Sequence, residues 1–213
     1  MCGRYVFTSE PGELKSLFPG LEILENFKQG KQISPGQDVA VLRKVQNRYR
    51  LSGFHWGLIP PWAKDKKIGY KMINARSETV REKPSFQKPF RNGRCILPAN
   101  GFYEWKTIGK KKYPHLITEK DSKEMYLAGL CEEWKSDGTT LVSCTILTTS
   151  ANSMISEVHD RMPVLLTPEE CKVWLEERTD EDQLTSLLKP YPSEKMEILP
   201  IEKLPSEEGF LFP

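Results

Sequence analysis

Five short stretches of this chain carry residues able to do chemistry. The first is the opening MCGRYVF, with a cysteine directly behind Met1. Cys2 has a small side chain, so loss of Met1 is expected, and the new first residue would hold an α-amine and a thiol on neighbouring carbons. Such a 1,2-aminothiol attacks an aldehyde through nitrogen to give an imine, then through sulfur to close a five-membered thiazolidine. An α-amine titrates near about 7.7–8.0, so a useful fraction is neutral at cellular pH; a lysine, near about 10.4, would need a large depression to compete. In INARSET, Asn74 offers an amide that can orient a reacting group and Arg76 a guanidinium that can clamp a phosphate bidentately; a turn asparagine capping a helix is the alternative. In GFYEWK, Glu104 stands between Tyr103 and Trp105. Facing inward, it would have its pKa raised by desolvation and could carry protons near neutrality; facing outward, it would pair with Lys106 or a cross-strand lysine. In VHDRMP, His159 is a candidate proton carrier or a structural histidine. In GLIPPWAK, two prolines hold Trp62 in an extended loop, where the indole could stack on a base or cover the core. Arg4 and Arg76 could supply phosphate contacts. Lys64, Lys66, Lys67 and Lys71 read as a solvated face with weak attraction for a polyanion.

For these side chains to act together, distant segments must converge on one end of the chain, with the N-terminal strand docked in a sheet. CGRYVF reads as a short strand. TSEPGELKSLF reads as a helix capped by Thr8 or Ser9, with Leu14, Leu17 and Phe18 on one face. Val39 to Val45 and Tyr49 to Trp56 form a strand pair joined by QNR. INARSETVRE is expected to start a short helix after Asn74. From Arg94 to Ile146 the pattern is mostly β: RCILP, GFYEWK, KYPHLIT, EMYLAGLCEEW and TTLVSCTILTT, with Val142, Cys144 and Ile146 sharing a face. Thr167, Pro168 and Glu170 make a capping box at the head of one helix, and Thr179 reads as the N-cap of another. His55 and His115 look like packing or edge residues. Many strands with few helices argue for α+β around a curled sheet or open barrel.

The bulk numbers narrow the classes. A chain of 213 residues is expected to form one domain over 1–213, with a strand plus irregular tail from about 190. The 38% hydrophobic and 28% charged content fits a folded chain. A net charge of +2 gives no strong unfocused grip on nucleic acid and leaves room for a local basic patch. The five cysteines, at 2, 95, 131, 144 and 171, are odd in number and contain no CxxC. Neither a disulfide framework nor a structural zinc site is therefore expected, and a reducing cytosol is the natural setting. No signal peptide or membrane-spanning run is expected.

Together and in this order, MCGRY, WGLIPPW, INARSET, GFYEW and HDRMP resemble the SOS-response-associated peptidase (SRAP) family, known as abasic-site shields that cross-link to single-stranded DNA. The likeness runs from Cys2 to about Leu188. It implies a single α+β domain built on a twisted, barrel-like, mostly antiparallel sheet with peripheral helices. It implies that mature Cys2 forms a thiazolidine with the ring-opened aldehyde of an abasic site, with lyase-type chemistry. On this resemblance Asn74 positions the terminus and the sugar, Glu104 is the acid/base, and His159 assists proton transfer and reversal. Arg4 and Arg76 bind phosphates, Trp62 packs on a base, Pro35 wedges beside the DNA and Thr148 is a polar position near it. No cofactor or metal is implied. Single-stranded DNA with abasic sites is the implied partner, replication-fork proteins are candidates, and a cytoplasmic, DNA-associated monomer is expected. Two other readings stay open: a thiol (auto)peptidase using Cys2 with His159 as base, and a non-covalent reader of damaged DNA using the basic loop and Trp62. Where the family often has Tyr-Asn ahead of a proline, Lys31 and Gln32 stand here, so a weaker hold on the N-terminal strand is expected. The end, MEILPIEKLPSEEGFLFP, also departs from the family pattern, and an altered closing strand is expected.

Overall fold

Four consecutive buried residues, Val39 to Leu42, and an alternating run from Ser52 to Trp56 build the first long hairpin, β4 (Asp38–Val45) with β5 (Arg48–Trp56). Gln46 and Asn47 turn it with φ of 49° and 63°, a two-residue reversal whose positive φ suits the twist of the flanking strands. The computed structural model describes residues 2–206 apart from 25, 123 and 137. Met1, whose loss is expected, and the last part of the tail, 207–213, lie outside the described residues.

Three further long strands complete a barrel: β7 (Arg94–Ala99), β10 (Met125–Ser136) and β11 (Thr139–Ser150). The order is β11-β10-β7-β4-β5, and parallel pairing of β5 with β11, His55 opposite Ser143 and Trp56 opposite Cys144, closes the ring. Arg94 on one strand face reaches the helices outside the barrel. The alternate face, with Val41, Trp56, Cys95, Leu97, Cys144 and Ile146, therefore fills the interior, and all six are buried. Short strands extend the ring: β2 (Glu22–Ile23) on β5, and on β11 both β6 (Asn74–Arg76) and β12 (Arg161–Pro163); β13 (Leu165–Leu166) pairs with β10.

A second sheet lies beside the barrel in the order β14-β9-β8-β1-β3: β1 (Tyr5–Phe7), β3 (Gly30–Ile33), β8 (Gly101–Ile108), β9 (Lys111–Glu119) and β14 (Met196–Pro200). Most pairings in both sheets are antiparallel, as expected. The closing strand of the expected tail is β14, running antiparallel to β9 with Ile198 opposite Ile117. The chain crosses from barrel to second sheet at Asn100. Its carboxamide oxygen accepts from the Thr8 N–H at 2.6 Å and the Ser9 N–H at 3.2 Å, pinning the exit of β1.

The helices are peripheral, as expected, but several boundaries differ from the sequence reading. Thr8 and Ser9 do not cap a helix, because Asn100 engages their side chains: the Thr8 hydroxyl donates to its Oδ1 at 3.3 Å and Ser9 Oγ accepts from its Nδ2 at 2.6 Å; a 3₁₀ turn, Pro11–Glu13, leads into α1 (Leu14–Leu17). The short helix expected after Asn74 is delayed and reduced. INARSET adds β6 parallel to β11 and only then makes a 3₁₀ turn at Ser77–Thr79. α2 (Pro84–Asn92) is a helix the sequence reading lacked; Pro84 starts it and Pro89 sits inside it. The Thr167 capping box heads α3 (Pro168–Leu175), with Glu170 N–H to Thr167 Oγ1 at 3.3 Å and Thr167 N–H to Glu170 Oε2 at 2.9 Å. The cap of α4 (Glu181–Ser186) is Asp180 rather than Thr179, whose hydroxyl donates to Val173 O at 2.8 Å. Among the described residues no helix is long and apolar enough to cross a membrane.

One buried cation clamps the helices to the barrel. The Arg94 guanidinium donates to Trp174 O at 2.7 Å, Phe90 O at 2.9 Å and Glu176 O at 2.6 Å, and also to Arg91 O. These carbonyls end α2 and α3, where helices leave acceptors unsatisfied. Arg94→Ala strands them, and the expected loss is roughly 3–4 kcal/mol, or a Tm lower by about 10 °C, measured by thermal unfolding. A shift under about 2 °C would mean that water replaces the guanidinium without cost.

Candidate active site

β1 lies between β3 and β8, with Tyr5 opposite Phe102, so the residues preceding Tyr5 run alongside Glu104. Tyr103 N–H donates to Arg4 O at 2.8 Å and continues this ladder. Cys2 is fully buried at its end. From the barrel side β6 delivers Asn74, whose amide donates to Cys2 O at 2.9 Å. The Asn74 carbonyl oxygen is buried and has no acceptor role filled among the described residues. Segments separated by more than 70 residues therefore meet at the chain start.

Glu104 is 2% exposed, so its carboxyl points inward and not toward Lys106. Burial holds its pKa above the ordinary carboxylate value, and the nearby His159 ring pulls the other way. Burial also pushes the Cys2 thiol far up, with the Glu104 charge adding to the effect and the Arg4 backbone N–H opposing it. The sulfur is thus held as a thiol. A group arrangement of this kind has a proton on sulfur, a carboxyl that burial shifts toward its protonated form, and an imidazole beside that carboxyl.

His159 is half-buried, and its Nδ1 accepts from Arg161 N–H at 3.0 Å. The same nitrogen lies 2.9 Å from Asp160 Oδ1. The Arg161 side chain braces this corner. It makes a two-pronged pair with Glu78, at 2.6 and 2.9 Å, and donates to Thr148 O at 2.7 Å. That pair holds the Glu78 carboxyl below its usual range. β6, β11 and β12 are thereby locked behind Asn74 and His159.

Of the remaining sequence candidates, Arg76 is exposed and Trp62 is 59% exposed. The Trp62 loop is anchored from below: Trp134 Nε1 donates to Ala63 O at 2.8 Å, and Ile59 N–H to Ser143 Oγ at 2.8 Å. Gly57 and Gly69 meet back to back in it; a Cβ on Gly57 would sit 2.7 Å from Gly69 O, so only glycine lets the loop cross. Lys64, and Lys66, Lys67 and Lys71 of the 3₁₀ helix Lys66–Lys71 that interrupts the expected loop, are all exposed. Pro35 is half-buried beside Gly36, against which the Tyr70 ring packs. Thr148 is fully buried, its hydroxyl 3.5 Å from Ala75 O, so it braces β6 from within and does not present a polar group at the surface.

Sequence reasoning missed several contributors. Gln32, expected to hold the N-terminal strand weakly, accepts from Arg4 Nη1 at 2.7 Å and donates to Pro205 O, tying β1 and β3 to the chain's last described turn. Tyr103 adds a bond to Lys31 O at 3.0 Å. Tyr70, 65% exposed among the loop lysines, was readable from the aromatic in KKIGYK. Glu78 and Arg161 both stood inside quoted motifs, INARSET and HDRMP, but their pairing is visible only once β6 and β12 flank β11. Among the described residues no cluster of three or more His, Cys, Asp or Glu could hold a metal ion.

A closed five-strand barrel with an appended sheet, its first strand delivering a buried cysteine to an asparagine, a glutamate and a histidine, defines a recognisable class. The chain belongs to the family described as SOS response associated peptidase (SRAP), whose model matches residues 1–205. It is 45% identical over 209 residues to the abasic site processing protein YoqW of Bacillus subtilis, covering 96% of this chain and 93% of that one. It is 32% identical over 143 residues to the abasic site processing protein YedK of Escherichia coli, covering 67% of this chain and 63% of that one. A crystal structure of a protein from Bacteroides thetaiotaomicron superposes with a TM-score of 0.85 at 28% identity, covering 94% of this chain and 92% of that one.

Proposed function

We propose that this protein processes abasic sites in single-stranded DNA by forming a thiazolidine between Cys2, freed of Met1, and the ring-opened sugar aldehyde. The observation that carries the reading is the buried Cys2 with its carbonyl held by Asn74 and its thiol beside the inward Glu104 carboxyl. The names of the relatives support abasic-site processing, and the family match over 1–205 supports reading the chain as one domain.

The raised thiol pKa orders the steps. Sulfur is protonated when substrate arrives, so the α-amine attacks the aldehyde carbon first and forms a carbinolamine. Protonated Glu104 gives its proton to the departing hydroxyl, which leaves as water, and the imine forms. Nitrogen keeps its own hydrogen, so this imine is protonated; the Glu104 carboxylate then takes the thiol proton as sulfur adds to the imine carbon, and the C=N electron pair returns to nitrogen as the ring closes. The unused Asn74 oxygen can accept from the amine or the sugar hydroxyl and fix its approach. His159 shuttles a proton to and from Glu104 and assists reversal. Burial that favours the protonated sulfur weighs against a peptidase that needs a resting thiolate.

DNA would run along the exposed face bearing Arg76, Trp62 and the four lysines, with Pro35 at its edge. Arg4, already bonded to Gln32, would lend its remaining N–H groups to phosphate. The direct test incubates the protein with a single-stranded oligonucleotide carrying one abasic site and with its intact counterpart. A heat-stable adduct on a denaturing gel with the abasic strand alone, together with an intact mass showing loss of Met1, is expected. Equal binding to both strands without any adduct would overturn the covalent reading in favour of non-covalent recognition.

A further inference from the structure

The barrel interior carries three cysteines that the proposed reaction does not use. Cys131 lies directly opposite Cys144 in the β10–β11 ladder. Cys95 is opposite Gly129, two residues before Cys131, so all three sulfurs share the inner face. Leu42 is opposite Ile96, which brings Arg43 alongside Cys95 on that same face. Cys95 and Cys144 are fully buried, whereas Cys131 is 6% exposed at the floor of a cavity of about 240 Å³ at the barrel mouth. Arg43, Lys88, Asn92, Glu132 and Glu133 line the cavity beside it.

The charges around that sulfur are arranged unevenly. Glu132 is tied to Lys88 at 3.0 Å and Glu133 to Lys135 at 2.6 Å. Arg43 lies over the Phe54 ring, 4.9 Å from its centroid, and its Nε is buried with no acceptor among the described residues. Arg43 and Cys131 line the same cavity, so a sulfur anion at Cys131 has this cation beside it. In keeping with this, the Cys131 thiol is shifted below its ordinary value, chiefly by the Cys95 S–H and further by Arg43, against the opposing pull of burial and Glu132. Cys95 and Cys144 are pushed up by burial and stay thiols.

We propose that Cys131 is a peroxide-oxidisable thiol at the mouth of the barrel, and that Cys144 closes a disulfide with it. The Cys131 sulfur attacks one oxygen of a hydroperoxide; an S–O bond forms, the O–O bond breaks and hydroxide leaves, so sulfur is oxidised and the peroxide reduced. The Cys144 sulfur then displaces the sulfenic oxygen; an S–S bond forms, the S–O bond breaks, and the oxygen leaves as water with the thiol proton. Directly opposed residues have Cα atoms about 4.5–5.5 Å apart, inside the disulfide window of about 4.4–6.8 Å. A diagonal pair such as Cys95 and Cys131 stands about 7–8 Å apart, outside it, so Cys95 is the hydrogen-bond donor and not the partner.

The test treats the full-length folded protein with hydrogen peroxide at neutral pH, blocks remaining thiols after denaturation, and maps peptides by mass. The expected product is a 131–144 linkage lighter by two hydrogens. In Cys144→Ser the reaction stops at a Cys131 sulfenic acid, trapped by dimedone. Arg43→Gln slows oxidation by about tenfold, because the sulfur anion loses its cationic neighbour. Cys131 left unmodified while Cys2 oxidises would overturn the proposal, and so would a 95–131 linkage. Mapping of the unmutated protein stands by itself if either variant fails to fold.

Discussion

Cys2→Ala is expected to abolish the heat-stable adduct with abasic-site DNA while leaving the fold in place. Alanine keeps the α-amine, so an imine still forms and can be trapped by borohydride; without reduction it hydrolyses, because no sulfur closes the ring. The fold should survive for two reasons. The Asn74 bond at this position goes to the backbone carbonyl and not to the side chain. The substitution removes a single sulfur atom from the core, a small-volume deletion costing about 1 kcal/mol. Cys2→Ser should behave like alanine in the unreduced assay. A heat-stable adduct that persists in Cys2→Ala without borohydride would sink the thiazolidine and move the chemistry to another nucleophile.

What was legible beforehand follows from whether the deciding interaction is local. The capping box at Thr167 needs only residues three apart, and it is present as read. The β4–β5 hairpin and the strand run from Arg94 to Ile146 are likewise carried by short apolar runs bounded by turn residues. The failures share a different cause. Thr8 and Ser9 look like caps until Asn100, more than 90 residues on, engages their hydroxyls. INARSET has helix-start chemistry, yet the edge of β11 captures it as a parallel strand. Nothing local announces that β5 and β11 close the barrel.

The site shows the same division. The residue types at 2, 74, 104 and 159 could be singled out from their motifs, but their mutual contacts could not. Glu104 illustrates why. Both Phe102 and Tyr103 are buried, so β8 is covered on both faces at this end and period-two alternation loses its meaning there. Only the packing of β1 along β8 decides that the carboxyl is inward. Gln32 shows the converse: a departure from the family pattern that predicts a looser strand proves to bond Arg4 directly, because a longer amide still spans the gap between β3 and β1.

Glu104→Gln separates the chemical role of that carboxyl from its structural cost, and the two effects have opposite signs. Glutamine fills the same space but can neither give up nor take the proton on which imine formation and ring closure depend. Cross-linking should slow by about 10²–10⁴-fold in single-turnover time courses, with the same adduct as end product. Stability should move the other way. Burial raises the folded pKa of Glu104 above the value it has in the unfolded chain. Its favourable contribution is therefore complete below the ordinary carboxylate pKa of about 4.3 and is lost as pH rises through the raised folded value. Glutamine has no such loss. The Tm of the variant should match the native protein near pH 4 and exceed it by a widening margin toward neutrality, as for other site residues that trade stability for reactivity. Thermal scans across that range read the difference. Parallel pH profiles would mean that Glu104 is not desolvated in solution, and an unchanged cross-linking rate would assign the proton to a different group.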